Sequence, residues 1–362
     1  MFVAWRDLRF AKGRFALMGT VIVLITLLVG LLSGLTAGLG RQNVSAITGL
    51  PADRIAFDAP GDGQDLSYFD STVTQDQWRR WTDVPGVASA EPLGISAAKA
   101  TVGGKGLGVS IFGVQPGSAL APDGDRIDDH AAVLSITAAD GLGLKPGDTF
   151  TLAGQRLAVA AVNGDASFSH TPVVWTSLNV WDKTVPPTSR PEGTTATVIA
   201  LDTASGIDLD AADRAAGTRT VSKDDSLSAI GSYTSENGSL QLMRGFLFAI
   251  SALVIGAFFT VWTIQRSGDV AILKALGAST AVLLRDALGQ ALVLLTVGTL
   301  TGTAVAAGIG AAVSGSDVPF LLTPATVLVP ASVMILLGAL GAVLAVRRIT
   351  SVDPLTALGS VR

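Results

Sequence analysis

FALMGTVIVLITLLVGLLSGLTAGL, residues 15–39, runs for 25 residues without a charged side chain. A helix needs about 20 apolar residues to cross the roughly 30 Å hydrocarbon core of a bilayer, so this run reads as a membrane span. Three later segments meet the same requirement. Gly245–Ile264 holds 20 uncharged residues, Asp286 and Asp317 bracket 30, and Val318–Val346 supplies 29. Pro324 and Pro330 are expected to trim the last span to Thr326–Val346, because proline removes a backbone donor and clashes with the preceding turn. The expected fold class is a membrane protein: four transmembrane α-helices, with a large α+β extracytoplasmic domain inserted between the first and second.

Composition agrees. Of 362 residues, 49% are hydrophobic and only 15% charged, against about 25% charged in soluble chains. Cysteine is absent, which excludes disulfides, thiolate zinc sites, iron–sulfur clusters and a cysteine nucleophile. Two histidines, His130 and His170, leave almost nothing for a multi-histidine metal site. Residues 40–240 hold 14 Lys+Arg against 24 Asp+Glu, net −10, and the remainder 11 against 5, net +6. An acidic soluble module joined to a membrane part with basic edges is implied. Nucleic acid is not an expected partner, since a basic cluster on the soluble module would be needed.

Basic residues set the expected orientation. Arg6, Arg9, Lys12 and Arg14 precede the first span, Arg266, Lys274 and Arg285 lie between the second and third, and Arg347 and Arg348 follow the fourth. The positive-inside rule puts both termini and the 266–285 loop in the cytoplasm, and residues 40–240 outside a plasma membrane. The first run is longer than a signal-peptide core and three more spans follow, so it is expected to remain uncleaved.

Within 40–240, β-type runs recur between turn signals: Ile55–Phe57, Val109–Val114, Ala132–Ile136, Thr149–Leu152, Arg156–Val162, Val173–Trp175 and Thr195–Leu201. Pro85-Gly86, Pro116-Gly117, Pro146-Gly147 and Asn163-Gly164 mark turns. Helical patches are expected near Thr74–Thr82 and Ala211–Ala216. Catalytic signals are weak, and no catalytic residue is assigned. Asp128, Asp129 and His130 are adjacent, which in a strand sends them to opposite faces, so a solvated acidic turn is expected rather than a metal site. His170 follows Asp165 and Ser169, but no Gly-x-Ser-x-Gly elbow surrounds a serine. Trp175 and Trp181 read as core residues.

Nor does the chain carry a nucleotide device of its own. Gly103-Gly104-Lys105-Gly106 lacks the spacing and the Ser/Thr of a P-loop. The spans hold no mid-membrane Asp, Glu, Lys or His for a proton relay. Force would therefore enter from a partner through the cytoplasmic loop, where Gly268–Ser279 reads as a short amphipathic helix. Asp269 lies near its start, Lys274 on its polar side, and Gly277 provides a stop. On pattern alone, an interfacial helix lying on the bilayer explains it equally well.

Arg266–Ser279, R-S-G-D-V-A-I-L-K-A-L-G-A-S, resembles the signature loop of FtsX/MacB-type ABC transporter permeases. Ala4-Trp5-Arg6-Asp7-Leu8 is similar to that family's amphipathic N-terminal helix, assigned to 1–14. The Pro85-Gly86-Val87 and Gly113-Val114-Gln115-Pro116 turns resemble its extracytoplasmic core, and Arg347–Leu358 its usual tail. The resemblance implies this order: span 15–39, outer domain 40–240, span 241–265, coupling helix 266–285, span 286–312, outer loop 313–325, span 326–346 and cytoplasmic tail 347–362. It also implies a homodimer with two separate ABC ATPase subunits that bind the ATP, a non-enzymatic role for this subunit, and a bellows-like motion of the outer domains. Asp269, Ile272, Leu273, Lys274, Leu276 and Gly277 would seat in the ATPase.

The compact four-span size is most similar to HrtB-type haem exporters, whose ATPase would be HrtA-like, with haem as transported substrate rather than a resident cofactor. Ser232–Arg244 leads into Phe246 and Phe248, and in a helix Glu236, Leu240 and Met243 share one stripe. Thioethers serve as haem-iron ligands, and oxygen ligands occur too, so Glu236 and Met243 are the candidate iron ligands. Arg244 suits a propionate, Phe246 would flank a porphyrin, and Tyr233 completes the candidate set. The plainer reading keeps Glu236 as a helix cap, Arg244 as a snorkelling side chain and Met243 as a gap filler. Lipoprotein or glycolipid extraction, and FtsX-like regulation of cell-wall enzymes, are the alternative functions.

Overall fold

The computed structural model describes residues 12–61, 63–184, 193–265, 268, 272, 274, 276–313, 316 and 318–350. In chain order the elements are α1 (Lys12–Thr48), β1 (Arg54–Asp58), β2 (Val73–Thr74), α2 (Gln75–Thr82), β3 (Val87–Val102), β4 (Lys105–Val114), β5 (Ala131–Leu134), α3 (Ile136–Leu142), β6 (Thr149–Leu152), β7 (Gln155–Val162), β8 (Ser167–Phe168), β9 (Thr171–Ser177), α4 (Leu178–Asp182), β10 (Thr194–Ala196), β11 (Val198–Thr203), α5 (Leu209–Ala216), β12 (Thr218–Ser222), α6 (Tyr233–Gln265), α7 (Thr280–Val313) and α8 (Pro324–Thr350). The membrane helices form one compact unit and Gly40–Asn237 another.

Among the described residues, four helices are long and apolar enough to cross a membrane: Ala16–Thr48, Tyr233–Gln265, Ala281–Val313 and Pro324–Ala345. Their shared core holds Met18 and Ile22 of α1, Ile255, Phe259 and Trp262 of α6, Leu295 of α7 and Met334 of α8. Small residues let the backbones close in, as membrane packing requires where lipid is as apolar as leucine. At Gly302 of α7 a Cβ would lie 2.6 Å from the Val23 carbonyl oxygen and 2.8 Å from Thr26 Cβ. The fourth helix starts slightly ahead of the expected Thr326. It begins at Pro324, and Pro330 lies inside it. Proline is tolerated in the first turn, where its missing donor is an orphan anyway, and Thr323 caps that turn. Its Oγ1 accepts from Thr326 N at 3.2 Å, while Thr326 Oγ1 accepts from Thr323 N at 2.9 Å.

The inserted domain is built on one long strand. β3, 16 residues, pairs with β11 through its first half and with β4 from Gly94 onward. Its end also pairs with β6. The order β3-β4-β9-β5-β7-β6 therefore returns to β3 and closes on itself, while β12-β1-β11 extends the sheet on the other side. The closed part encloses Ile111, Leu134, Phe150, Leu157, Val174 and Trp181. Helices α2 and α5 pack Trp81, Ala212 and Ala216 against Ile199 and Leu201 of the other part.

Two local expectations change, and one turn is added. Ile136 starts α3 instead of ending a strand, because Ser135 Oγ accepts the Ala138 N–H and caps the helix. Thr195–Leu201 splits into β10 and β11 at Thr197, whose Oγ1 accepts the Ile95 N–H at 2.7 Å. Gly103 and Gly104, at φ +51° and +85°, make a two-residue turn joining β3 to β4, the type that demands positive φ at both positions.

Candidate functional site

The site begins with an aromatic core in the inserted domain. Phe112 on β4 stacks edge-on against Trp175 at 5.0 Å and Phe168 at 5.6 Å, and Tyr68 meets Phe168 at 5.6 Å. Burial pushes the Tyr68 hydroxyl above its ordinary range, and it donates to Ser226 Oγ at 2.8 Å. Phe168 thus anchors β8, and the two residues that follow it, Ser169 and His170, turn into β9 at φ +48° and +64°. Such conformations cost non-glycine residues on the order of 1–2 kcal/mol and persist only where surroundings hold them. Here the end of α1 does so. Ser169 N donates to the Asn43 carbonyl at 3.0 Å, His170 N to that of Gln42 at 3.1 Å, and Ser167 N to Ser45 Oγ at 2.9 Å.

The turn delivers His170 to Glu236 in the first turn of α6. Nε2 stands 2.7 Å from Glu236 Oε2, and Asn43 Nδ2 donates to the same oxygen at 3.0 Å. Side chains of His170 and Glu236 are 33% and 41% exposed, so the pair is reachable from outside. Asn43 is buried. Three elements distant in sequence therefore meet at one carboxylate.

The other expected ligand residues sit elsewhere on α6. Met243 and Phe246 are 48% and 65% exposed. Tyr233, half-buried, packs against the aromatic core. Phe248 packs into the membrane-helix core, and Arg244 Nε is buried without a hydrogen-bond partner among the described residues. His170 and Asn43 were absent from the expected set. The sequence signal for His170 was its scarcity as one of two histidines; its sequence neighbours misdirected, since Asp165 Oδ1 instead accepts from Thr137 Oγ1 at 2.6 Å.

Around His130, Asp128 Oδ1 accepts the His130 N–H at 2.7 Å. Asp129 is held below the usual carboxylate range by hydrogen bonds from Ser177 and then Asn179. These are turn and cap contacts. Among the described residues no group of three His, Cys, Asp or Glu could hold a metal ion. In the 266–285 loop, Asp269 and Leu273 lie outside the described residues, whereas Ile272 and Leu276 are exposed. Gly277 there takes φ +94°, and its N–H donates to the Lys274 carbonyl at 3.1 Å. Residues 1–11 and 351–362, which include most of the expected N-terminal helix and tail, are also outside the described residues.

Residues 15–219, more than half the chain, match the MacB-like periplasmic core domain, and residues 242–354 match the FtsX-like permease C-terminal domain. The chain belongs to the FtsX/MacB-type permeases. A Staphylococcus haemolyticus protein with the provisional name hemin transport system permease protein HrtB is 25% identical to this permease over 366 residues, 100% of both chains. An uncharacterized ABC transporter permease of Mycobacterium tuberculosis is 24% identical over 380 residues, 99% of each. The periplasmic region of MacB from Actinobacillus actinomycetemcomitans aligns with TM-score 0.36 and 13% identity, over 50% of this chain and 94% of that one. This permease is thus an ABC transporter membrane protein with four apolar helices and an α+β core domain between the first and second.

Proposed function

We propose that this permease exports haem, or a similar amphipathic molecule, from the membrane as a homodimer driven by two separate HrtA-like ATPase subunits. The observation carrying this reading is the exposed stretch of α6 where a carboxylate, Glu236, is followed by a thioether, Met243, and an aromatic ring, Phe246. Carboxylate and thioether suit haem iron, Arg244 suits a propionate, and Phe246 offers a ring face to the macrocycle. The provisional name of the staphylococcal relative points to the same substrate class. The permease transmits force and the ATPase supplies it.

A haemin titration of the full permease, followed by visible absorption, tests the reading. A saturable Soret shift is expected for the native chain, and its loss for the Glu236→Ala/Met243→Ala pair. Absence of any specific shift would turn the assignment toward lipoprotein or glycolipid extraction.

Orientation in this reading has both termini and the 266–285 loop in the cytoplasm, with residues 40–240 outside, following the positive-inside rule. Because the native chain has no cysteine, single replacements report it directly. In intact cells an impermeant maleimide is expected to label Lys145→Cys, and Ser279→Cys only after lysis. The reverse pattern would invert the topology.

A further inference from the structure

We propose that His170 and Asn43 are positioning residues that hold the Glu236 carboxylate by one oxygen and leave the other free to meet the substrate iron. The inference rests on the haem-export reading and extends it to two residues outside α6. Both hydrogen bonds fall on Oε2, from His170 Nε2 at 2.7 Å and Asn43 Nδ2 at 3.0 Å, and among the described residues no hydrogen bond reaches Oε1. A carboxylate fixed in this way is preorganised as a one-oxygen ligand, because its rotamer is set before the metal arrives.

Two features of the donors show that their orientation is imposed. Asn43 is 2% exposed, and its Oδ1 is buried without a partner among the described residues. Leaving a buried acceptor unmet is unfavourable, and turning the amide over would bring Oδ1 against the carboxylate oxygen. The amide keeps the orientation in which Nδ2 makes a charge-assisted bond, the stronger kind. His170 is presented by a left-handed turn that two backbone hydrogen bonds tie to α1. The backbone that presents the imidazole is therefore set by the fold, and Nε2 faces Glu236 Oε2; opposite an ionised carboxylate, which only accepts, that nitrogen acts as the donor.

The alternative is that these bonds only fasten α1, the turn and α6 together. Two porphyrins separate the cases: ferric haemin, which needs the ligand oxygen, and metal-free protoporphyrin, which does not. Both are titrated into the full permease carrying Glu236→Ala, His170→Ala, His170→Gln or Asn43→Ala. His170→Ala and Asn43→Ala are expected to weaken haemin binding about 10–100-fold, the range seen when an outer-shell partner of a metal ligand is lost. They should also alter the Soret band and the ferric electron paramagnetic resonance signal, while protoporphyrin affinity is unchanged. His170→Gln, whose amide nitrogen can donate to Oε2, should restore the native spectrum.

Equal losses for haemin and protoporphyrin would make the contacts purely structural and overturn the proposal. It is also overturned, with the haem reading intact, if Glu236→Ala abolishes haemin binding but the His170 and Asn43 variants behave as native. If Glu236→Ala itself binds haemin normally, the haem site on α6 fails, and the positioning role falls with it.

Discussion

Replacing Ile272 and Leu276 together by Asp is expected to abolish ATP-driven transport while leaving haemin affinity unchanged. The two lie one helical turn apart, with Leu276 N donating to the Ile272 carbonyl at 3.0 Å, and are 58% and 79% exposed. Their turn ends where Gly277 adopts φ +94°, a conformation glycine enters without the Cβ penalty. Two large aliphatic side chains on one face of a short loop suit a partner groove that takes an apolar helix face. If each is an anchor worth about 2 kcal/mol at that interface, losing both would weaken ATPase binding about a thousandfold, since about 1.4 kcal/mol is tenfold. Co-purification of the ATPase and transport into proteoliposomes measure the effect. A loop that only rests on lipid would leave the ATPase attached and transport running, and that result would end the coupling assignment.

The second large effect is expected in the β-domain, where Gly113→Val should destabilise the permease by about 3–5 kcal/mol. Gly94 and Gly113 are direct partners across β3 and β4, and the Trp181 indole lies against both. A Cβ at Gly113 would fall 2.9 Å from Trp181 Cγ, and one at Gly94 2.6 Å from Cε2. Trp181 is 3% exposed in the core of the closed sheet. Overpacking of this kind costs about 1–3 kcal/mol by itself, and expelling a buried tryptophan approaches the 3–5 kcal/mol of a Trp→Ala change. Thermal unfolding with tryptophan emission should show a lower midpoint and a red-shifted native spectrum. Gly108→Ala is the control: it lies on the same strand, and a Cβ there meets no atom of the described residues within 4 Å. Equal shifts for the two variants would mean that Trp181 does not depend on the glycine pair.

The membrane helices were legible because run length against bilayer thickness is a one-dimensional property. Turns at Gly86, Gly117, Gly147 and Gly164 were legible for a related reason: each takes φ between +70° and +94°, which is chemistry local to the residue. β3 was not. Its sequence V-A-S-A-E-P-L-G-I-S-A-A-K-A-T-V is rich in Ala and Ser and holds Pro92 and Gly94, residue types that disfavour strands. Pairing with β11, β4 and β6 makes it one; β4 follows directly after the Gly103-Gly104 turn, but β6 and β11 are distant in the chain, and no short window of sequence contains them. The fourth helix shows the converse on a small scale: a local rule about proline placed its start at Thr326, whereas Pro324 occupies the first turn, where its missing donor is an orphan anyway.

For the candidate site, the sequence alone set Glu236 and Met243 on one stripe of α6 and an amphipathic pattern in the loop before α7, because helical period and charge pattern are read along the chain. Only the tertiary structure decided what surrounds the carboxylate. Asn43 lies 193 residues from Glu236 and His170 lies 66 away. Their meeting depends on a left-handed turn at Ser169 and His170 that α1 and the Phe168 cluster hold in place. Such a conformation is unfavourable for these residues in isolation, so nothing local to the sequence announces it, and hydrogen bonds to α1 together with packing set the direction in which His170 faces.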